Sequence, residues 1–184
     1  MSYFDSNDSD SDDGQRGAAS ANSTEITTSM MEDAKVAALA AKSEGNALFS
    51  VGKFEETIAK YSEAMAALKS VNLPKDSVLH LNRSASYISL KRYVPALNDA
   101  NQAIEIDRDN WKGHWRKGVS LMAMTKKKFR TEQALAAFRS CLNCSSLPGD
   151  KRLEVEAEIG KAATLLSRQE EETPPADLSR CAPS

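Results

Sequence analysis

Apolar residues recur every three or four positions from Met31 to about Gln169, in a background rich in Ala, Leu, Lys and Glu. This spacing is typical of amphipathic helices. No segment shows the sustained alternation of β-branched and polar residues that strands require. The fold class is therefore predicted to be all-α, and interruptions that divide the helices are found at 73–74, 91–92, 126–128 and 148–149.

Small residues at regular intervals predict that the helices form pairs. Ser84 and Gly118 each lie midway along a first helix and are 34 residues apart, a period typical of stacked helix pairs. The interval from Gly45 to Ser84 is 39 residues, which places a five-residue insertion at 71–75. A four-residue insertion is expected in the turn of the third pair, at about 126–130. The corresponding small residues of the second helices are Ala64, Ala103 and Cys141.

One helix pair cannot bury its own apolar face, so about three pairs must stack. The predicted repeats span about 38–71, 77–110 and 111–147, and a capping helix spans about 149–169, within a helical domain at 31–169. The capping helix would cover the open end of the right-handed superhelical stack with Leu153, Val155, Ile159, Ala163 and Leu166. Pro95 suits the first turn of a second helix, where its missing N–H is not needed.

Both ends of the chain are predicted to be tails. Residues 1–30 hold six carboxylates and one arginine, a net charge of −5, whereas the whole chain carries −2, so the body carries +3. This acidic segment has too few apolar residues to fold and is predicted to be disordered, and residues 170–184 form a second flexible tail. Three cysteines without framework spacing, no apolar span and no signal pattern indicate a cytoplasmic monomer that is not inserted in a membrane.

Five polar side chains are predicted to converge on the concave face of the stack. Lys42 and Asn46 are four residues apart on one helix face, and so are Lys112 and Arg116. Asn82 lies on the first helix of the second pair. Clustered cations destabilise a fold unless an anion binds, and a C-terminal Asp offers two carboxylates together. The sequence therefore predicts a site for a C-terminal carboxylate.

At these residues the sequence resembles the carboxylate-clamp tetratricopeptide-repeat (TPR) domains of co-chaperones. That family includes the chaperone-organising protein, the TPR immunophilins and the TPR phosphatase. The resemblance implies binding of the Glu-Glu-Val-Asp tail of heat shock protein 90 or heat shock protein 70, with Ala85 and Ile88 as candidates for the pocket that takes the aliphatic side chain. It rests on Lys42, Gly45-Asn46, Asn82-Arg83-Ser84 and residues 112–117.

Other motifs have simpler interpretations beside a functional one. Cys141 and Cys144 have a Cys-x-x-Cys spacing, but zinc needs four ligands and the two histidines lie elsewhere, so no metal or cofactor is predicted. The basic turn at 126–130 is interpreted as a solvated loop rather than a nucleic-acid site. Cys181 matches a prenylation box with an unfavourable Pro183. The acidic stretch at 9–13 solubilises the chain, is phosphorylated, or lies in the basic groove.

The functional hypothesis is therefore an adaptor that docks on a chaperone tail. The alternative is a scaffold that binds an internal segment of another partner through the convex face or the capping helix. An enzyme is not predicted, because the sequence has no nucleophile arrangement, phosphate loop or acidic metal cluster.

Overall fold

The structure, a computed structural model, describes residues 15–125 and 128–172. The described part consists of helices joined by short loops and contains no strand, which confirms the all-α prediction. The helices are α1 (Gln15–Ser50), α2 (Phe54–Ser70), α3 (Ser77–Ser89), α4 (Tyr93–Ile106), α5 (Trp111–Met122), α6 (Lys128–Leu142) and α7 (Gly149–Glu172).

Consecutive helices pack on one another, so that α1–α2, α3–α4 and α5–α6 form three stacked pairs and α7 covers α6. The first helices α3 and α5 also contact each other directly. This arrangement places residues from different first helices side by side on one face of the stack, as predicted for the concave surface.

Close packing within the pairs depends on the small residues. A Cβ added at Gly45 would lie 2.7 Å from Cε1 of Tyr61, and one at Gly118 would overlap the ring of Phe138. In the middle pair, Ser84 takes the same role and donates its hydroxyl to the Ala96 carbonyl at 2.8 Å. The small residues predicted in the second helices, Ala64, Ala103 and Cys141, are all completely buried.

Helix α1 begins earlier than the sequence indicated. Residues up to 30 were predicted to be disordered, but α1 begins at Gln15 and includes the segment from there to Met30. This segment has no proline and contains several alanines, and each residue added to an existing helix gains one hydrogen bond without a new nucleation cost. A helix can therefore extend into a polar segment that lacks an apolar pattern. Residues 1–14 and 173–184, the rest of the predicted tails, lie outside the described residues.

Helix α7 presents a different apolar face from the predicted one. Val155 and Ala162 are completely buried, whereas Leu153 is 76% exposed and Ala163 is also exposed. Residues 155, 159, 162 and 166 are separated by four, three and four positions, the spacing of a single helix face. Leu153 precedes Val155 by two residues, about 200° around the helix, and so points away from α6.

Hydrogen bonds hold α7 at both ends. Near its start, Ser145 donates its backbone N–H to Asp109 at 2.8 Å, and Ser146 donates its hydroxyl to the Asp109 carbonyl. Near its end, Gln169 accepts a hydrogen bond from the Thr131 hydroxyl at 2.9 Å and donates one to the Thr125 carbonyl at 2.9 Å. These contacts fix α7 against α5 and α6.

A polar network joins α2, α3 and α4. Arg83 donates from Nε and Nη2 to the two oxygens of Asp99, at 2.8 and 2.7 Å, and from Nη1 to the Ser62 hydroxyl at 2.8 Å. His80 also contacts Asp99, at 3.1 Å. Burial alone would raise the pKa of the Asp99 carboxyl, but the hydrogen bonds and charges of Arg83 and His80 outweigh it and hold that pKa below its usual value.

Two alanine substitutions at glycines should change stability in opposite directions. Gly118→Ala should destabilise the fold by about 1–3 kcal/mol, because its Cβ overlaps the Phe138 ring. Gly160→Ala, in α7 with nothing within 4 Å of the added Cβ, should stabilise the fold by about 0.5–1 kcal/mol. Urea denaturation measures both values. Equal effects at the two sites would contradict the packing role given to Gly118.

The Asp99 network should make stability depend on pH. Because the folded-state pKa of Asp99 is depressed, its contribution is complete above the unfolded value of about 3.9 and is lost as the pH falls through the folded value. Asp99→Asn should therefore cost about 3 kcal/mol at pH 7 and less at pH 3. Urea titrations at both pH values test this, with the exposed Glu132→Gln as a control. A cost that does not change between pH 7 and pH 3 would contradict it.

Candidate functional site

A cleft of about 240 Å³ opens on the concave face, where α1, α3 and α5 meet and α2 supports them from behind. Three of the five predicted clamp residues line it, one from each first helix. The lining consists of Asn46, Phe49, Tyr61, Asn82, Ala85 and Arg116.

Local capping places the two later helices in register with this cleft. Asp76 precedes α3 and accepts a hydrogen bond from the Val78 N–H at 2.8 Å through Oδ1. Asn110 precedes α5 and accepts one from the Lys112 N–H at 3.3 Å. Such N-caps satisfy otherwise unpaired backbone donors and fix where the helix begins.

Hydrogen bonds fix the orientation of both carboxamides in the cleft. Tyr61 donates its hydroxyl to Oδ1 of Asn46 at 2.7 Å, and Asn82 donates from Nδ2 to the same oxygen at 3.2 Å. Burial raises the pKa of Tyr61, against opposing effects of Asn82 and Arg116, so the phenol keeps its proton and acts as the donor. With its oxygen occupied twice, Asn46 retains its N–H₂ group for a ligand, and Asn82 retains one N–H.

The guanidinium of Arg116 is charged but lacks an anionic partner among the described residues. Burial lowers its pKa to about 10, with a small opposing effect from Tyr61, so it remains protonated at neutral pH. Its Nη1 is buried and has no hydrogen-bond acceptor in the described part of the chain. A buried donor without a partner costs about 1–3 kcal/mol, and a bound carboxylate would relieve part of this cost.

Lys112 lies in an adjoining cleft between α5 and α7, which shares Arg116 with the first. Its Nζ lies 5.9 Å from the centre of the Trp111 ring, a cation–π contact. No carboxylate of the described residues pairs with it. Lys112 and Arg116, predicted to share a helix face, are thus neighbours at the boundary of the two clefts.

Lys42 occupies a third pocket, on the other side of Asn46, and is already paired. Its Nζ lies 2.9 Å from Oδ2 of Asp76, and both side chains are about one third exposed or less. Of the predicted clamp cations, Lys42 therefore already has a carboxylate partner within the fold. Asp76 is separated from Lys42 by 34 residues, so only the tertiary fold brings them together.

Of the two residues predicted for the aliphatic pocket, one lines the cleft. Ala85 lines the cleft, three residues after Asn82 and therefore on nearly the same helix face. Ile88 does not line it, because six residues turn the helix through about 600° and move the side chain to another face. Phe49, three residues after Asn46, lines the cleft instead.

Tyr61 is a member of the site that the sequence did not reveal. Its ring covers Gly45 and its hydroxyl holds Asn46. The signal that would have identified Tyr61 is its position. It is an aromatic residue in the helix that follows Asn46, and it faces the small residue Gly45.

The remaining motifs have structural roles where the structure describes them. Cys141 is buried, donates to the Trp111 carbonyl at 3.4 Å, and has a pKa raised by burial to about 12, so it is a packing residue rather than a thiolate. Lys128 pairs with Glu170 at 3.0 Å, and Arg130 contacts the Met124 carbonyl. Within the described ranges there is no cluster of three potential metal ligands, and no helix is long and apolar enough to cross a membrane. Lys126, Lys127, Cys181 and the acidic stretch at 9–13 lie outside the described residues.

Comparisons with known proteins point to one class. No protein-family model matches the chain. The Hsp70-Hsp90 organizing protein of Triticum aestivum is 40% identical over 84 residues, which are 46% of this chain and 14% of that protein, so the chain spans about one seventh of that relative's length.

Two solved structures share the fold of this chain at similar levels of sequence identity, 28% and 26%. The first TPR of Spaghetti (RPAP3), bound to the HSP90 peptide SRMEEVD, is 28% identical with a TM-score of 0.61, and the match covers 72% of this chain and 95% of that one. The second TPR domain of human RPAP3, in complex with the HSP70 peptide SGPTIEEVD, is 26% identical with a TM-score of 0.60, and the match covers 71% and 98%. Its three stacked pairs and capping helix therefore give the chain the fold of a tetratricopeptide-repeat (TPR) domain, similar to the TPR domains of these relatives.

Proposed function

We propose that the chain is an adaptor that binds the C-terminal Glu-Glu-Val-Asp carboxylate of heat shock protein 90 or heat shock protein 70 through this cleft. One observation carries the proposal. A protonated Arg116 without an anionic partner among the described residues lines a cleft in which Asn46 and Asn82 retain N–H donors. Donors without acceptors, together with a net positive charge, are complementary to a carboxylate.

The roles of the side chains follow from their positions. Asn46 and Asn82 would donate to the main-chain carboxylate, since amide donors add no further repulsion between cations. Arg116 and Lys112, at the boundary of the two clefts, would bind the side-chain carboxylate of the terminal Asp. Lys42 would join the main-chain carboxylate after leaving Asp76. Each charge-assisted hydrogen bond is worth about 1.5–3 kcal/mol net.

The relatives support this assignment. The two RPAP3 domains are bound to peptides that both end in Glu-Glu-Val-Asp. We further propose that the chain binds without catalysing a reaction, in the cytoplasm and as a monomer. A scaffold that binds an internal segment through the convex face is the alternative, and a peptide without a free C-terminal carboxylate distinguishes the two.

A fluorescence-polarisation titration tests the cleft. A labelled peptide ending in Glu-Glu-Val-Asp should bind with a Kd of about 1 μM, or about −8 kcal/mol. C-terminal amidation, Asn82→Ala and Arg116→Ala should each weaken binding at least about tenfold, equivalent to about 1.4 kcal/mol, because each removes a charge or a donor from the carboxylate contact.

Lys117→Ala is the matched control for Arg116→Ala. Lys117 is the next residue on α5 and does not line either cleft, so its loss removes one positive charge without a contact. Thermal unfolding of each variant separates lost binding from lost folding. Equal binding of the free and amidated peptides by the wild type would reject the carboxylate site and favour the scaffold.

Asp76→Asn should strengthen peptide binding. Asp76 is the only carboxylate within 4 Å of a clamp cation in the described part of the chain, and it competes with the ligand for Lys42. Asparagine removes the charge but keeps the oxygen that caps α3, so the midpoint of thermal unfolding should change little. We expect the Kd to fall about twofold to fivefold, within the range of partly exposed ion pairs. A higher Kd would mean that Asp76 orients Lys42 for binding instead of competing for it.

A further inference from the structure

We propose that the cleft between α5 and α7 is a second subsite, which binds an acidic side chain of the peptide upstream of the terminal Asp, and that Lys151 is its specificity-determining cation. This inference rests on the proposed function, because the subsite acts on a peptide already held by its C-terminus. The occupant we assign is the glutamate two residues before the terminal Asp.

The cleft has a volume of about 240 Å³ and combines aromatic walls with positive charge. Trp111 and Trp115 come from the same turn of α5, and Trp115 is held by the Phe138 ring at a centroid distance of 5.5 Å. The charged groups are Lys112, Arg116, Lys151 and one carboxylate, Glu154. The net charge of the lining is therefore +2.

Little within the described chain neutralises this charge. Lys112 faces the Trp111 ring rather than a carboxylate, and Arg116 has no ion pair. Lys151 pairs with Glu154 at 3.1 Å, but their side chains are 44% and 53% exposed. An exposed pair of this kind contributes little to stability, so a ligand carboxylate can replace Glu154 as the partner of Lys151 at small cost.

Lys151 is held in place by the fold rather than by chance proximity. It lies in the first turn of α7, and the preceding loop is attached to the α4–α5 loop through Asp109. The Trp111 N–H also donates to the Ser146 hydroxyl at 3.2 Å, and Val155, one turn after Lys151, is completely buried. The distance between the start of α7 and the start of α5 is therefore fixed before any ligand binds.

The two clefts adjoin in a way that suits an extended peptide. Because Arg116 lines both clefts, a peptide whose terminal Asp occupies the first cleft can extend its preceding residues into the second. In an extended chain, side chains two residues apart point to the same face and lie about 6.6–6.8 Å apart. The glutamate two residues before Asp, present in both SRMEEVD and SGPTIEEVD, then points the same way as the Asp side chain.

The opposite direction, toward α1, offers less attraction. Its lining carries Lys35 and Lys42 against Asp76, a net charge of +1, and Lys42 is paired with Asp76 at 2.9 Å with both side chains about one third exposed or less. The α5–α7 side therefore attracts the upstream carboxylates more strongly, and this gives the direction in which the peptide runs.

A double-mutant cycle tests the subsite. Binding is measured by fluorescence polarisation for peptides ending in Glu-Glu-Val-Asp and Glu-Gln-Val-Asp, against the wild type and Lys151→Gln. Each single change should weaken binding about threefold to tenfold, and the two together should cost no more than one alone, because they remove the same contact. The control is Lys161→Gln, on the same helix in the same kind of ion pair, which should change neither Kd.

The outcomes separate this inference from the proposed function. If the two losses multiply, or if Lys151→Gln has no effect while the Glu-Glu-Val-Asp peptide still binds the wild type, the subsite is rejected and the C-terminal site stands. If the wild type binds neither peptide, the proposed function itself fails. Glu154→Gln supplies a second test, since it should lower the Kd for the Glu-Glu-Val-Asp peptide, and an unchanged Kd would also count against the subsite.

Discussion

The close approach of an aromatic ring in a second helix to a glycine in the first helix is the contact on which both the fold and the candidate site depend. Tyr61 packs against Gly45, and its hydroxyl then reaches Asn46, the next residue of α1. Phe138 packs against Gly118 and also supports Trp115, which lines the second cleft. The contacts that allow helices to pair thus also position the groups that face a ligand. A larger side chain at either glycine would disturb both.

Cations on two neighbouring first helices have different surroundings. At Arg83 and Asp99 the fold pairs a partly buried cation with a buried carboxylate and satisfies both. At Arg116, one first helix further along, the described residues leave a cation without an anion. A protein selected for stability alone would pair or replace such a group, because a buried uncompensated charge is costly. The cost is understandable if a ligand supplies the missing carboxylate.

The helix pairs could be predicted from the sequence because their constraint is local and periodic. Small residues 34 positions apart indicate stacked helix pairs directly, and i, i+4 spacing alone places Lys112 beside Arg116. The ion pair between Lys42 and Asp76 could not be predicted, because it depends on how α1 and α3 pack. Ile88 was assigned to the cleft instead of Phe49 because turns were counted along one helix, whereas the cleft surface is formed by several. The start of α1 was placed too late, since polar alanine-containing segments can continue a helix without an apolar pattern.

In the proposed subsite, helix α7 forms part of the binding surface as well as a cap. A helix that merely covered α6 would need its apolar face, here Val155 and Ala162, and nothing more. Instead, Asp109 holds the loop that precedes α7, and Gln169 bridges two residues near its end. The serine contacts also lower the pKa of Asp109, so this attachment keeps its charge at neutral pH. Because α7 is restrained at both ends, its position relative to α5 and α6 is fixed. Lys151 therefore stays in the lining of the cleft opposite Trp111 and Arg116. Because a cation contributes to selectivity only if its position is fixed before the ligand arrives, the attachment of α7 is the structural condition for recognition beyond the terminal residue.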